Sequence, residues 1–276
     1  MDTIIGEYYH ENGQAKQSSR INFSFDTQGY LIYEVLRTNR GVLIFLEDHV
    51  ERLNRSLKSL GIQKKCDTEN LQKSLKELLT LNENRTGNIK ILCKLTDNEL
   101  YFAAYYIPHE YPANEMYQNG VKLITYKIER PDPDIKQVHV SEYLRKEIEL
   151  ARKRASAYEV LLIDSKGHIT EGSRSNLFLI KNENLYSPPD KSILPGITRE
   201  YVLQIAWDLN IKVIKNVISY TDIKTYESGF ICGTSPKILP INSIDECNLY
   251  VENEITHSIQ NKYDSIIQEY IDIRKK

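Results

Sequence analysis

EVLLIDSKGHITEGSRSNLFLIKNENLYSPPDKSILPGITR, residues Glu159 to Arg199, is the stretch from which the rest of the chain is most easily read. It holds a strand-like run over Glu159 to Asp164, a polar turn at Ser165-Lys166-Gly167, and the acidic loop Glu171-Gly172-Ser173-Arg174-Ser175-Asn176. A second strand-like run over Asn176 to Asn182 follows, and Pro195-Gly196 opens a helix over Thr198 to Leu209. Polar residues gathered this densely between two strands ask for a ligand.

Upstream, VKLITYK (121–127) alternates as a strand, and ERPDPDIKQVHV (129–140) is extended because Pro131 and Pro133 forbid a helix there. Lys136 lies near its end. A helix is expected from about Ser141 to Ala157, with Leu144, Ile148 and Ala151 or Ala155 as its apolar stripe. PHEYPANEMYQNG (108–120) loses all periodicity and gathers two prolines and a glycine, which marks a connector. The expected division is therefore a domain over residues 1–112, a linker over 113–120 and a domain over 121–276.

In the first part, INFSF alternates from Ile21, and YLIYEVLRT and VLIFL flank Asn39-Arg40-Gly41 as a hairpin. Val50, Leu53, Leu57 and Leu60 recur at helical spacing with Gly61 in the capping position. Leu71, Leu75, Leu78 and Leu79 predict a second helix over Thr68 to Leu81. NIKILCKL and YFAAYYI form another hairpin. Past Arg199, KVIKNVI, FICGTS and KILPI read as strands, and a last helix aligns Ile255, Ile259, Tyr263, Ile266 and Tyr270. Strands and helices mix throughout, so the class is α/β (α+β) in two lobes.

The chain has 276 residues, enough for two domains with cores of their own. Its 36 Lys plus Arg against 38 Asp plus Glu give a net charge of −2, which supplies no field for nucleic acid and points to a small-molecule partner. Cys66, Cys93, Cys232 and Cys247 lie far apart and make no CxxC pair, so neither a zinc site nor a disulfide framework is expected, and a reducing cytoplasm fits. No apolar run reaches the length of a membrane span, and the N-terminus lacks a signal-peptide pattern.

Three features can bind a phosphate. Gly196-Ile197-Thr198 sits at a helix N-terminus, where free N–H groups and the dipole attract an anion. Gly233-Thr234-Ser235 at a strand end offers a second nest of N–H groups. Arg52 is a charged clamp. Taken singly, each is more often an ordinary cap or a solvated charge. Lys136 and Glu171 form the other pair: a desolvated lysine attacks carbonyls, and an acid beside a pyridine nitrogen keeps the ring electron-withdrawing. From pattern alone, Lys136 is one cation among many and Glu171 a turn acid.

The run Glu171-Gly-Ser173-Arg-Ser-Asn176-Leu177-Phe178, with Leu185-Tyr-Ser187 and Leu194-Pro-Gly196-Ile197-Thr198-Arg199, resembles the signature of the class IV aminotransferases, the fold-type-IV pyridoxal-phosphate enzymes. This family includes branched-chain aminotransferases, D-amino-acid aminotransferases and aminodeoxychorismate lyase. Tyr33-Glu34-Val35, His49-Val-Glu-Arg52-Leu53, Asp134-Ile135-Lys136 and Gly233-Thr234-Ser235 with Leu239-Pro240-Ile241 follow the family's order, so the resemblance runs from about Phe25 to Ile241.

The resemblance implies a smaller N-terminal α/β domain and a larger C-terminal pseudo-barrel domain, with pyridoxal 5'-phosphate between them. It implies that Lys136 forms the internal aldimine and shuttles the α-proton, and that Glu171 binds the pyridinium nitrogen. Arg52, Ile197, Thr198 and Thr234 would hold the phosphate with Ser235 close by, Ser173 and Asn176 would order the loop beside the ring, and Tyr33 and Arg37 would face the substrate. A cytoplasmic homodimer acting on an amino acid and a 2-oxo acid is implied, with a lyase forming 4-aminobenzoate and pyruvate as the alternative and a non-catalytic cofactor-binding protein as a further one.

Departures from the family pattern are Ser187 in place of threonine and a longer stretch, QVHVSEYL, between Lys136 and its helix. Tyr143 is the candidate for a tyrosine near the ring hydroxyl. The hairpin from Asn88 to Ile107 also lacks the Arg and His pair of D-amino-acid enzymes, which speaks against that specificity.

Overall fold

The helix expected over Thr68 to Leu81 forms over those residues in a computed structural model. The model describes residues 3–20, 31–96, 99–128, 135–136 and 138–275, with 20, 96 and 138–144 described by backbone alone. Contacts divide the chain into two units. The first is Met1–Glu110 with Ile135–His139 and Ile267–Lys276, and the second is Tyr111–Asp134 with Val140–Ile266.

In the first unit, β1 (Tyr8–Glu11), β2 (Gln14–Gln17), β3 (Leu31–Asn39), β4 (Val42–Leu43), β5 (Gly87–Thr96) and β6 (Glu99–Ile107) make one antiparallel sheet in the order β2-β1-β6-β5-β3-β4. The expected β3–β4 hairpin turns through Arg40 and Gly41, both at positive φ, the geometry of a tight hairpin turn. The expected INFSF strand lies outside the described residues.

Two helices pack on one face of this sheet, α1 (Leu46–Ser59) and α2 (Thr68–Leu81). The C-terminus of α1 closes as the sequence predicts. Gly61 sits at φ +76, its N–H donates to Lys58 O, and the N–H of Ile62 reaches back to Leu57 O at 2.9 Å. The N-terminus of α2 is capped by Asp67, whose carboxylate accepts the Asn70 N–H. Alternation along β3 sends Ile32 and Leu36 into the helix-covered core with Leu53, Leu57, Leu75 and Leu78, whereas Leu31 and Tyr33 join Tyr9, Leu92 and Tyr105 on the opposite face. Each fully buried leucine contributes about 1.5–3 kcal/mol.

The second unit begins differently from the sequence expectation. Asn114–Asn119, inside the stretch read as a linker, is a short helix, α3, with no buried residue. Under two turns long, it presents no periodic stripe to read. After β7 (Val121–Lys127), helix α4 spans Val138–Arg154 and so starts three residues earlier than expected, only two after Lys136. The prolines constrain the backbone at and just before themselves and do not reach Val138. The long pre-helix stretch read after Lys136 is thus replaced by helix. The side chain of Tyr143 lies outside the described residues.

The remaining elements are β8 (Glu159–Ile163), β9 (His168–Gly172), β10 (Asn176–Lys181), β11 (Asn184–Ser187), α5 (Ile197–Asp208), β12 (Val213–Lys215), β13 (Ile218–Ser219), β14 (Ser228–Gly233), β15 (Lys237–Ile244), β16 (Cys247–Asn248) and α6 (Glu254–Arg274). The strands order as β12-β11-β10-β14-β15-β7-β8-β9-β13, with β16 on β15. Parallel β7–β8 and β7–β15 pairs at its centre bury Leu123, Leu161, Leu239 and Ile241 completely. The expected stripe of α6 is displaced by a residue at several positions: Thr256, Ile259, Tyr263, Ile267 and Ile271 are buried, while Ile255, Ile266 and Tyr270 are half-buried. Among the described residues no helix is long and apolar enough to cross a membrane.

Candidate active site

The acidic residue of the opening stretch is not in a loop. Glu171 lies on β9, one residue before its end, and its side chain is buried. Its Oε2 accepts the Leu194 N–H at 2.9 Å and a weaker bond from Asn176 Nδ2 at 3.4 Å. The same Asn176 amide donates to Leu194 O at 2.9 Å. The backbone of Leu194 is therefore held from both sides, and it leads through Pro195 and Gly196 directly into α5.

Gly196 is the N-cap of α5 and offers no side chain to its first turn, where Ile197 and Thr198 are both buried. The Thr198 hydroxyl lies 3.2 Å from the Tyr263 hydroxyl of α6. Asn176 opens β10 opposite Cys232 of β14, so the turn carrying Thr234 and Ser235 begins two residues beyond that pair. Glu171, Asn176, Ile197, Thr198 and the Thr234-Ser235 turn are thus tied together within one unit.

Ser173 is half-buried. Its hydroxyl contacts Glu159 Oε1 at 3.3 Å, and the Arg174 N–H donates to the same oxygen at 2.6 Å. Glu159 is almost fully buried and has no cationic partner within salt-bridge distance among the described residues, so backbone and hydroxyl donors hold it. Arg199, the last residue of the opening stretch, is also buried. Its guanidinium donates to Ser187 Oγ at 3.2 and 3.3 Å and to Asp190 at 2.7 Å. The serine that departs from the family pattern keeps the hydroxyl this arginine uses.

In the first unit, Lys136 is half-buried and its carbonyl accepts the Tyr33 N–H at 3.0 Å. Its Nζ lies 5.2 Å from the centre of the Tyr33 ring, and Lys90 Nζ lies 4.7 Å from the same ring. Ile135 belongs to the helix-covered core, so the lysine is anchored by its own neighbour. Tyr33 and Arg37 share one face of β3.

Arg52 is buried on α1 and bound side-on by Glu34: Nε to Oε1 at 2.8 Å and Nη2 to Oε2 at 2.5 Å. His49 Nδ1 meets Glu34 Oε2 at 2.8 Å. Burial alone pushes the Glu34 carboxyl up, but the Arg52 charge and the bonds from His49 and Arg52 outweigh it and hold the group well below the usual carboxylate range. Burial pushes the His49 imidazole down against the pull of Glu34, so the neutral ring donates Nδ1–H to the carboxylate.

A model of the family described as amino-transferase class IV matches residues 31–244. The chain belongs to the class IV aminotransferases. This aminotransferase is 30% identical over 250 residues to the D-alanine aminotransferase of Bacillus licheniformis, covering 85% of this chain and 87% of that one. It is 29% identical over 249 residues to a putative branched-chain-amino-acid aminotransferase of Methanocaldococcus jannaschii, covering 85% and 86%.

Its fold matches the branched-chain aminotransferase of Thermoproteus uzoniensis, solved with norvaline, at a TM-score of 0.83 and 23% identity over 95% of each chain. It also matches that of Thermobaculum terrenum in its pyridoxal-phosphate form, at 0.80 and 19% over 96% and 95%. These relatives are named aminotransferases, which favours transamination over the lyase alternative. A D-alanine enzyme stands among them although the β5–β6 hairpin lacks the Arg and His pair.

Glu34, Glu159 and the Leu194 N–H received no role from the sequence of this class IV aminotransferase. A signal existed for the first: Glu34 is a charge on the same strand face as Ile32 and Leu36, opposite His49 and Arg52, which lie three residues apart on one helix. The role of Leu194 is a backbone one and leaves no mark in side-chain identity.

Proposed function

We propose that this enzyme moves an amino group between an amino acid and a 2-oxo acid, with pyridoxal 5'-phosphate as its cofactor. The observation that carries the reading is the Glu171 clamp. A buried carboxylate is bound to Leu194 two residues before the N-cap of a helix that has no side-chain cap. An acid for a ring nitrogen and a cradle for an anion thus lie at the two ends of one short piece of chain, and these groups fit the cofactor by their chemistry. When bound, pyridoxal phosphate draws electrons from the substrate's α-carbon and so loosens its hydrogen.

In this proposal Lys136 Nζ takes the α-proton and delivers it to the neighbouring carbon. Glu171 accepts the ring-nitrogen proton in a hydrogen bond, and Asn176 and Ser173 keep the loop around it in place. The N–H groups of Ile197 and Thr198, the hydroxyls of Thr198 and Thr234, and Arg52 hold the phosphate, with Ser235 beside them. Tyr33 and Arg37 orient the substrate. In one half-reaction the donor leaves as a 2-oxo acid, and in the other a second 2-oxo acid leaves as an amino acid, so no external oxidant is needed.

The test is direct. Purified protein loaded with pyridoxal phosphate should absorb in the visible, and borohydride should fix the cofactor's mass on the peptide carrying Lys136. A panel of L- and D-amino acids should shift the spectrum only with donors, and turnover should require a 2-oxo acid. Cofactor mass on another lysine, or turnover without an acceptor, would sink the assignment. The same proposal takes the protein as a cytoplasmic homodimer with domains at 1–112 and 121–276 joined by 113–120. A one-chain mass in solution, or limited proteolysis that never cuts within 113–120, removes the corresponding part.

A further inference from the structure

The Glu34 carboxylate stands among the apolar side chains of the helix-covered core, a costly place for a charge unless it is fully paired. Stability alone does not require the pair, since apolar residues of similar volume usually serve a core as well or better. What the pair does supply is orientation. Arginine turns about four side-chain torsions, and the side-on fork from Nε and Nη2 fixes the guanidinium plane. The carboxylate is fixed in turn, because its Oε2 also takes the Nδ1–H of His49. Glu34 meets the Nε–Nη2 edge, so Nη1 is presented along the other edge of the plane.

The next residue back along β3 makes the second half of the device. The Tyr33 N–H donates to the Lys136 carbonyl at 3.0 Å. Two adjacent strand residues therefore hold two groups, Tyr33 the backbone of the lysine and Glu34 the guanidinium of Arg52. Their spacing is set by a single peptide unit of rigid sheet, registered against β5 at Leu92 and Ile91.

We propose that Glu34, steadied by His49, is a positioning residue that aims Arg52 at the phosphate of the cofactor, with β3 fixing the distance from that arginine to Lys136. The inference rests on the reading of Arg52 as a phosphate ligand. Removing the Glu34 charge has two opposed effects on a phosphate: it leaves Arg52 more positive, which strengthens attraction, and it frees the guanidinium to turn, which weakens it. Orientation dominates where the ligand is bound by directed, charge-assisted hydrogen bonds.

The experiment measures dissociation constants of apoprotein for pyridoxal phosphate and for pyridoxal, by absorbance or fluorescence, in the wild type and in Arg52→Ala, Glu34→Gln, His49→Asn and the Glu34→Gln/Arg52→Ala double variant. The readout is the ratio of the two affinities, which isolates the phosphate. Arg52→Ala should lower the ratio by roughly tenfold or more, the scale of one charge-assisted hydrogen bond. Glu34→Gln should lower it in the same direction, His49→Asn by less, and the double variant no further than Arg52→Ala alone.

An unchanged ratio in Arg52→Ala removes the phosphate reading of that arginine, and this inference with it. A normal drop in Arg52→Ala with an unchanged or raised ratio in Glu34→Gln overturns the inference and leaves the reading standing. Circular dichroism establishes that each variant is folded; should Glu34→Gln fail to fold, the His49→Asn ratio decides by the same signs.

Discussion

Glu171 accepts the backbone N–H of Leu194 at 2.9 Å, which couples the buried acid on β9 to the chain entering α5. A carboxylate in this position has a structural and a chemical task, and the two can be separated by substitution.

Glu171→Gln keeps an oxygen for the Leu194 N–H and removes the charge. Its fold should persist, with a thermal midpoint within a few degrees of wild type, while kcat falls by roughly 10²–10³-fold, the usual loss when one preorganised electrostatic group is removed. Glu171→Ala should also lose about 1–3 kcal/mol of stability, because a buried N–H is left unsatisfied. Steady-state kinetics beside thermal unfolding make the comparison. Equal kcat in wild type and Glu171→Gln would contradict the chemical role.

Gly196→Ala tests the other end of the same piece of chain. The backbone of Gly196 is at φ −71, so an alanine meets no conformational strain, yet its Cβ would overlap Asn176 Oδ1. That amide cannot swing aside without breaking its bonds to Glu171 and Leu194. A loss of about 1–3 kcal/mol is expected for this overpacking. In an Asn176→Ala background the overlap vanishes, so the double variant should lose less than the sum of the two single losses. Denaturant titration of the two single variants and the double variant measures this, and strict additivity would show that the overlap relaxes by another route.

What could be read from the sequence followed how locally each feature is determined. Leu71, Leu75, Leu78 and Leu79 with the Asp67 cap fix α2 to the residue, because period and cap agree. Gly61 marks the end of α1 for the same reason. Asn114–Asn119 is too short for a period, so its helix is hidden in a connector that Pro108 and Pro112 open. Glu171 reads as a loop residue because HITEG carries polar residues at three of its five positions, and only pairing with β8 and β13 makes it a strand. The candidate residues themselves were legible through family resemblance. Of their supports, Glu34 leaves only the trace of a charge on the apolar face of β3, and Glu159 leaves none, since the role of a buried charge is fixed only when its partners from other elements are in place.

Acid stability should expose the Glu34–His49 pair. Burial lowers His49 below its ordinary 6.5, so the unfolded chain takes up that proton first and stability declines as pH falls from about 6.5. Despite burial, Arg52 and the bonds from His49 and Arg52 bring Glu34 below its ordinary 4.5, so its contribution is present above that value and is lost as pH falls through the depressed one. The two act in the same direction in successive windows. Thermal midpoints between about pH 8 and about pH 3.5, roughly 1.5 units above the ordinary value of His49 and about one unit below that of Glu34, should show the upper part of the decline flattened in His49→Asn and the lower part reduced in Glu34→Gln. Parallel curves for all three proteins would refute the assignment.

The start of α1 makes a last prediction. Phe45, its N-cap, adopts a left-handed conformation at φ 54, unfavourable for a residue with a Cβ by about 1–2 kcal/mol. The C-terminal end of α6 offsets this. Tyr270 packs edge-on to the Phe45 ring at 4.9 Å, donates its hydroxyl to Glu47 at 2.6 Å and accepts the Leu46 N–H at 3.3 Å, while Arg274 stacks on its ring at 3.5 Å. Tyr270→Phe should cost about 0.5–1.5 kcal/mol, the worth of the lost hydrogen bonds, and Tyr270→Ala more, because both ring contacts go with it. The same helix carries His49 and Arg52 further along, but their geometry is fixed by Glu34 rather than by this clasp. Tyr270→Phe should therefore lower the midpoint of unfolding and leave the ratio of pyridoxal phosphate to pyridoxal affinity at its wild-type value. A fall in that ratio would mean that the clasp, and not the β3 carboxylate, sets where Arg52 stands.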